Sequence, residues 1–277
     1  MTVRRLFVLV FVASTIVAFQ SKRVHAQAFG VELQGNLMPA AGGMGGVGIA
    51  RPQDLQSTLM LNPATLTQKK GTQFSFSGAW AEPTIRLDNN ADLPAAGITE
   101  FNSKSKRPGS IVGNIAVSQD YSAKGIPVTL GMGLLTASGL GVNYRDVEAS
   151  NGTTAEFVVL ATGVGIGAEL TDRLSVGFTG AISTANMDGI FTGISAATPN
   201  YNLRGTLGVT YDLDPCTTIG GFFKSEEKHT FEDFVRFPRL NTPFQDLSIS
   251  LPRIYGLGIA NQSLMNGQLL VGMDLSY

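Results

Sequence analysis

Hydrophobic and polar residues alternate with a period of two along most of the chain beyond residue 71. In the segment 173–183, for example, Val176 and Phe178 fall on one face of an extended chain and Gly177 on the other. Such alternation is typical of a strand that has one face against an apolar environment. It predicts nine strands, at residues 72–82, 110–118, 127–137, 155–169, 173–184, 201–212, 216–224, 248–260 and 268–277.

The connections between these strands alternate between short and long. The short ones are 119–126, 170–173, 212–215 and 261–267, and the long ones are 83–109, 138–154, 187–200 and 224–246. Transmembrane β-barrels of the outer membrane have short periplasmic turns and longer external loops. A soluble sandwich also alternates in hydrophobicity, but it does not usually place its long connections every second time. The pattern therefore predicts an all-β fold, an antiparallel transmembrane β-barrel.

Residues 38–70 form the only long stretch after the N-terminal region without this alternation. Five glycines lie between Gly42 and Gly48, and the stretch ends in Asn62-Pro63-Ala64. Glycine permits close approach of the backbone to its surroundings, and proline fixes a turn by setting its own φ. We interpret the stretch as a plug inside the barrel lumen.

A nucleotide-binding interpretation of the same glycines is less well supported. Residues 43–48 satisfy the G-x-G-x-x-G spacing of a dinucleotide site. That motif requires a preceding strand and a following helix within a βαβ unit. Pro39 and two alanines precede the glycines, and no such unit is predicted.

The glycine segment and the turn after it resemble the start of the FadL/TodX family of outer-membrane channels. The matching plug and gating residues are Gly42, Gly43, Gly45, Gly46, Gly48, Asp54, Asn62, Pro63 and Ala64. The resemblance implies import of long-chain fatty acids or aromatic hydrocarbons through a fourteen-stranded barrel. It also implies that apolar ligands bind from the external side, and that a shift of the plug or an opening between strands lets them pass, in part sideways through the wall.

The resemblance covers residues 28–277. The segments 251–258 and 273–277 are similar to the middle and later part of the family rather than to its end. We therefore expect nine strands of an incomplete barrel, with Tyr277 at the external rim.

The N-terminus predicts export. Arg4 and Arg5 precede an apolar run at residues 6–19, and small residues at 24–26 form a cleavage site. The run is shorter than the roughly 20 apolar residues that span a bilayer, so we interpret it as a signal peptide rather than an anchor. The predicted divisions are a signal peptide at 1–26, a plug at 27–70 and a barrel at 71–277, located in the outer membrane of a Gram-negative bacterium.

Charge and reactive side chains exclude several other functions. The chain carries 20 Lys+Arg and 21 Asp+Glu, and loss of the signal peptide leaves 16 against 21, a net charge of −5. This balance argues against nucleic acid as a partner. Beyond the signal peptide only Cys216 and His229 remain of their types, which is too few for a disulfide or a metal site. We expect no catalytic residues, no metal and no cofactor, and a protein that is not an enzyme.

The faces predicted to point inward are rich in small residues. They include Gly131 and Gly133, Gly163 to Gly167, and Gly177 with its polar neighbours. Small residues leave lumen volume for a plug, whereas an ion-selective pore would show rings of charge. Strand bending is the alternative reason for these glycines.

Arg204 is the one strand cation singled out as a ligand-binding candidate. It shares a face with Thr206 and Gly208, and facing lipid would cost about 2–4 kcal/mol at the midplane, so we place it in the lumen. It would bind a fatty-acid carboxylate or, in the interpretation we prefer, pair with a lumen acid such as Glu169 or Asp212.

The long connection at 224–246 is charged and contains Phe231, Phe234 and Phe237. Two interpretations remain open for it, a surface docking patch or a solvated loop with a few buried anchors.

The function predicted for the whole chain is passive transport of hydrophobic molecules, long-chain fatty acids above all, by a monomer that contacts outer-membrane lipid. A general diffusion porin and a structural or adhesive surface protein are the alternatives in the same membrane. A soluble secreted sandwich is a third alternative, outside the membrane.

Overall fold

The computed structural model describes residues 34–90, 92, 99–150, 152–189, 198–235 and 243–277. The predicted signal peptide at 1–26 lies outside the described residues, as do residues 27–33. The described strands are β1 Thr72–Ala81, β2 Arg86–Asn89, β3 Phe101–Lys104, β4 Ser110–Asp120, β5 Val128–Asn143, β6 Thr154–Glu169, β7 Leu174–Gly189, β8 Thr198–Asp214, β9 Thr217–Lys224, β10 Glu227–Val235, β11 Gln245–Leu251, β12 Ile254–Leu264 and β13 Leu269–Ser276.

Nine strands form one sheet in the order β1-β4-β5-β6-β7-β8-β9-β12-β13. Every neighbouring pair is antiparallel. In the described part of the chain, β1 and β13 are the two edges of this sheet. The antiparallel all-β fold and the number of strands in the sheet agree with the prediction.

The outer face of the sheet is a broad apolar surface. Phe74 is 72% exposed, Ile111 80% and Leu203 71%, and many large side chains on the same face resemble them. A soluble domain rarely exposes so much contiguous apolar surface, whereas a transmembrane barrel presents such a band to lipid. Among the described residues, no helix has the length and apolarity to cross a bilayer.

Residues 34–70 lie against the opposite face and contain no strand. They form two short α-helices, α1 Pro39–Gly43 and α2 Leu55–Met60, and two 3₁₀ turns, Gln34–Leu37 and Pro63–Gln68. We call residues 34–70 the plug. The plug meets Ser75 on β1, Asn114 on β4, Gly131 on β5, Gly165 on β6, Gly177 on β7, Gly208 on β8, Gly220 on β9, Gly258 on β12 and Asp274 on β13. Because so short a segment reaches all nine strands, the sheet must curve around it.

The short turns and the long connections lie at opposite ends of the strands, as predicted. At the end with the short turns, the Gly71 N–H donates to Asp120 Oδ2 and Lys70 pairs with Glu169. The strand ends at the opposite rim differ from the prediction, since β5 continues to Asn143 and β7 to Gly189. Glycines at 139 and 141 weaken the local strand signal there, but pairing with neighbouring strands overrides it.

Two long connections contain hairpins that the alternation did not predict. β2 pairs with β3, and β10 pairs with β11. The predicted strand at 248–260 is wrong, because β11 ends at Leu251 and a new strand, β12, begins at Ile254. Pro252 explains the break, since proline cannot donate a hydrogen bond to a central ladder.

Candidate functional site

Asp54 organises the two helices of the plug. Its Oδ1 accepts a hydrogen bond from the Ser57 N–H at 2.7 Å, which caps the start of α2. Its Oδ2 accepts from the Ala40 and Ala41 N–H groups at 2.8 and 3.0 Å, at the start of α1. A carboxylate is favourable at a helix N-terminus because the first amide groups there have no partner within the helix. One side chain therefore fixes the two helices relative to each other.

Asn62 joins the plug to the wall. Its Oδ1 accepts from the Ala64 N–H at 3.1 Å, and Pro63 then begins a 3₁₀ turn. Its Nδ2 donates to the carbonyl oxygens of Ile49 at 2.8 Å and of Val209 on β8 at 3.1 Å. The turn predicted at Asn62-Pro63 is confirmed, and the asparagine side chain additionally holds the glycine segment and a barrel strand.

Glycines of the barrel wall allow the plug to pack closely against it. A Cβ placed on Gly177 would lie 2.3 Å from the Pro63 carbonyl carbon, and one on Gly208 would lie 2.0 Å from Asn62 Oδ1. No real side chain fits at such distances. The inward glycine face thus serves close packing of the plug, which favours the first of its two interpretations.

The glycine segment itself is bound by a wall carboxylate that the sequence analysis did not single out. Gly46 has a φ of 91°, a conformation that other residues rarely adopt. Just beyond it, the Gly48 and Ile49 N–H groups donate to Asp274 Oδ2 at 2.7 and 2.9 Å. Asp274 is an acidic residue on the inward face of β13, and that position is the signal that would have found it.

Lys69 ends the plug and is partly buried. Its Nζ donates to the Pro52 carbonyl oxygen at 2.9 Å. Burial lowers the pKa of Lys69, and the Asp54 carboxylate opposes that shift. The Asp54 carboxylate therefore offsets part of the cost of burying the Lys69 ammonium group.

The wall opens between β4 and β5. Their pairing begins at Asp120 opposite Thr129, beside the short turn, and ends at Ile115 opposite Leu134. Yet β4 stays paired with β1 as far as Ser110, and β5 stays paired with β6 as far as Asn143. The outer halves of β4 and β5 therefore separate, and we call the gap between them the lateral window.

Asn114 marks the inner corner of the lateral window. Its Oδ1 accepts from the Thr136 N–H at 2.8 Å, and its Nδ2 donates to the carbonyl oxygen of Leu37 in the plug at 3.1 Å. Next to Thr136, the register of β5 against β6 shifts, which is a β-bulge. A bulge bends its strand and interrupts pairing, so it accounts for the divergence of β5 from β4.

A cavity of about 290 Å³ fills the lateral window. Its lining includes Val112 from the inner face of β4 and Ile111 and Leu160 from outer faces, so the cavity passes through the wall. Leu37 of the plug closes it on the lumen side. Towards the external rim, the Lys106 N–H donates to the Asn143 carbonyl at 2.8 Å and Arg107 pairs with Glu156.

Arg204 lies in the lumen and pairs with an acid there, as predicted, but the acid is neither Glu169 nor Asp212. Its Nη1 is 3.7 Å from Glu227 Oε2, and both side chains are buried. Glu169 pairs instead with Lys70, and Asp212 accepts from Thr218. Glu227 was not predicted as the partner because it belongs to a connection that was predicted as an external loop. The folded hairpin brings it next to Arg204.

Two of the three phenylalanines in the same connection are buried. Phe231 is 1% exposed and Phe234 2%, whereas Phe237 lies outside the described residues. This supports buried anchors rather than a surface docking patch.

The comparisons with known proteins rest on structure. No protein-family model matches the sequence, and no curated protein matches it. The Pseudomonas putida toluene transporter TodX superposes with a TM-score of 0.61 at 18% identity, over 91% of this chain and 71% of that one. The CymD monoaromatic hydrocarbon channel gives 0.55 at 17% identity, over 90% and 69%. A Pseudomonas aeruginosa FadL homologue gives 0.59 at 12% identity, over 90% and 69%.

TodX and CymD are a transporter and a channel rather than enzymes. The likeness spans about nine-tenths of this chain, and it agrees with the resemblance carried by the plug sequence. The chain has the fold of the FadL/TodX outer-membrane channels.

Proposed function

We propose that this protein carries hydrophobic molecules passively across the outer membrane, with long-chain fatty acids as the foremost substrate. The observation that carries the proposal is the lateral window. It is a mostly apolar passage at the wall, and the plug contributes Leu37 to its lining. A polar solute gains nothing from such a passage, whereas an apolar one can leave it directly into lipid.

The plug acts as the gate in this proposal. The plug is held by hydrogen bonds from Asp54, Asn62 and Asp274, and five of the seven residues at 42–48 are glycines, which have no side chain to resist a second conformation. A shift of this segment would withdraw Leu37 and join the lumen to the lateral window. Small shifts of a bistable element are a common means of gating.

The protein acts in this proposal as an exported monomer, after removal of residues 1–26, and makes contact with outer-membrane lipid through its apolar outer face. The substrate assignment has one close competitor, because the neighbours TodX and CymD serve toluene and monoaromatic hydrocarbons. A long acyl chain is favoured here by the buried cation Arg204, to which a carboxylate headgroup is complementary.

Uptake by vesicles that contain the purified protein tests the proposal. Asn62→Ala and Pro63→Ala should insert normally, as judged by protease resistance, yet lose most uptake of labelled oleate. Undiminished uptake in both variants would exclude the plug as gate. Steady ion conductance of the wild type in planar bilayers would favour a diffusion porin instead.

A second test addresses the lateral window. Val112→Trp fills the passage from the inner face of β4, and Val117→Trp is the control, since Val117 is 37% exposed where β4 and β5 remain paired. We expect uptake to fall at least fivefold in the first and to persist in the second. Running the assay with toluene as well as oleate distinguishes the two substrate classes.

A further inference from the structure

The β10–β11 hairpin is folded into the lumen, where it covers a polar cluster that the transport route leaves unexplained. Phe231, Phe234 and Leu251 of the hairpin region are each no more than 2% exposed. They belong to one apolar core with Phe157 on β6 and Leu59 of the plug. The hairpin is thus packed against both the wall and the plug.

Three residues on the inner face of β8 hold this hairpin. The Asn200 side chain donates to the Thr230 carbonyl at 2.9 Å, and the Asn202 side chain donates to the Lys228 carbonyl. Arg204 donates to the carbonyl oxygens of Ser225 and Pro252 at 2.9 and 2.8 Å. Because Ser225 precedes the hairpin and Pro252 follows it, one guanidinium fastens both of its ends.

Glu227, the first residue of β10, brings a carboxylate into this cluster. Its side chain is fully buried, 3.7 Å from Arg204 Nη1 and 3.1 Å from His229 Nε2. Among the described residues, neither of its carboxylate oxygens accepts a hydrogen bond of good geometry. A buried carboxylate so poorly satisfied is costly to keep, so this contact is a weak point in the closed state.

A small cavity adjoins the cluster, and its lining combines charged and apolar side chains. Arg204, Lys224 and Glu227 supply the charged part, and Leu59, Leu135 and other residues supply the apolar part. The hydroxyl of Thr179 faces the same space without a described hydrogen-bond partner, and that of Ser183 is equally buried and without one. The arrangement is complementary to an amphiphile with an anionic head.

The cavity has no room for such a head while Glu227 is present. Its volume is about 30 Å³, enough for roughly two water molecules. An incoming carboxylate must therefore take the position of Glu227 rather than lie beside it.

We propose that Glu227 is a resident carboxylate which keeps the hairpin closed, and that a carboxylate-bearing amphiphile displaces it from Arg204 and so releases the hairpin. This rests on the proposed function and adds a specificity to it: the charged head opens the lid, and the apolar tail lies beside Leu59 in the space that the released hairpin leaves. Bidentate carboxylate binding to arginine supplies the preference for the ligand over the poorly oriented Glu227. An uncharged molecule of equal length has no group with which to replace it.

The test measures hairpin position and ligand affinity in the full chain, reconstituted in nanodiscs. Spin labels are attached at Glu232→Cys on the hairpin and Thr162→Cys on the outer face of β6, with Cys216→Ser removing the free native thiol. Oleate should lengthen and broaden the label distance, and oleyl alcohol should leave it unchanged. In Glu227→Gln the distance should be shifted without ligand, and affinity for oleate should rise about tenfold with little change for the alcohol.

Glu226→Gln is the matched control. Glu226 is the adjacent residue of the same type, 51% exposed and 3.9 Å from Arg253, and this variant should behave as the wild type. In Arg204→Gln, oleate should no longer change the label distance, while oleyl alcohol should still bind. If Glu227→Gln is poorly folded, the contrast of Arg204→Gln between the two ligands still decides.

Two outcomes separate this inference from the proposed function. If both ligands bind and are transported, but oleyl alcohol moves the hairpin as well as oleate does, the displacement of Glu227 is wrong and transport stands. If the wild type neither binds nor transports either ligand, both proposals fall.

Discussion

The plug and the β10–β11 hairpin fill the same lumen but are held in different ways. The plug is anchored by helix caps, by Asn62 bound to carbonyl oxygens and by glycines that admit its backbone. The hairpin is anchored by aromatic burial and by buried charges around Arg204 and Glu227. The carboxylates that hold the plug are paired with backbone N–H groups, whereas the buried carboxylate of the hairpin lacks a hydrogen bond of good geometry within the described part of the chain.

This difference separates two tasks within one channel. Close packing and carboxylates that already accept backbone hydrogen bonds leave a solute nothing to replace, so these anchors suit a barrier. A buried carboxylate with poor geometry can be replaced by a better one, so it suits recognition.

The largest effect is expected from Phe231→Ala. This truncation removes a side chain that is 1% exposed from the core shared by hairpin and wall, and it should weaken hairpin docking by about 3 kcal/mol. Hydrogen exchange at the amides of β10 and β11 measures the loss. Phe244→Ala, at a residue 45% exposed, is the control and should change little. Equal protection in the two variants would mean that the hairpin is not held by its apolar core.

Asp54→Ala should loosen the plug by about 2 kcal/mol. The carboxylate accepts three backbone hydrogen bonds at 2.7 to 3.0 Å, and loss of such caps costs about 1–2 kcal/mol at each helix. Exchange should accelerate at residues 40, 41 and 57 while the hairpin amides stay protected. Acceleration in both regions would show that plug and hairpin form one cooperative unit and are not held independently.

Gly177→Ala tests shape as the second plug anchor. The added Cβ would lie 2.3 Å from a Pro63 backbone atom, so the plug or β7 must move at a cost of roughly 1–3 kcal/mol. Gly113→Ala is the control, because nothing lies within 4 Å of its Cβ position. We expect ion conductance in planar bilayers to appear only in the first variant. A tight seal in both would mean that the wall yields more easily than the plug.

The residues that the sequence revealed are those whose signal is local. Alternation identified the strands of the sheet, and the turn at Asn62-Pro63 identified the plug, because both patterns are written in adjacent residues. Asp274 was missed because it binds Gly48 across 226 positions. The lateral window was missed for a related reason, since loss of pairing between β4 and β5 leaves each strand with its usual alternation.

The β10–β11 hairpin also shows what local sequence patterns do not reveal. A charged, aromatic connection between strands reads as a solvated loop, and only folding into the lumen turns Phe231 and Glu227 into buried residues. The pairing of Arg204 with a lumen acid was predicted correctly, but the two acids named for it were wrong for this reason. Burial of a long connection depends on the space that the wall and plug leave, and that space has no local pattern.

The smallest effect is expected from Lys70→Met, which removes an exposed ion pair of the plug, the same type of contact as the buried pair of Arg204 and Glu227. Lys70 Nζ lies 2.5 Å from Glu169 Oε1, but the two side chains are 56% and 36% exposed. Solvent and salt screen such a pair, so its loss should change plug protection by less than about 1 kcal/mol, and less still at high salt. The buried pair of Arg204 and Glu227 has a longer separation of 3.7 Å, yet Arg204→Gln should disturb the hairpin far more, because it leaves a carboxylate without its cation in a place that water cannot reach. Hydrogen exchange of both variants at two salt concentrations makes the test. If the rim pair proved as important as the buried one, burial would not be what distinguishes the hairpin from the plug.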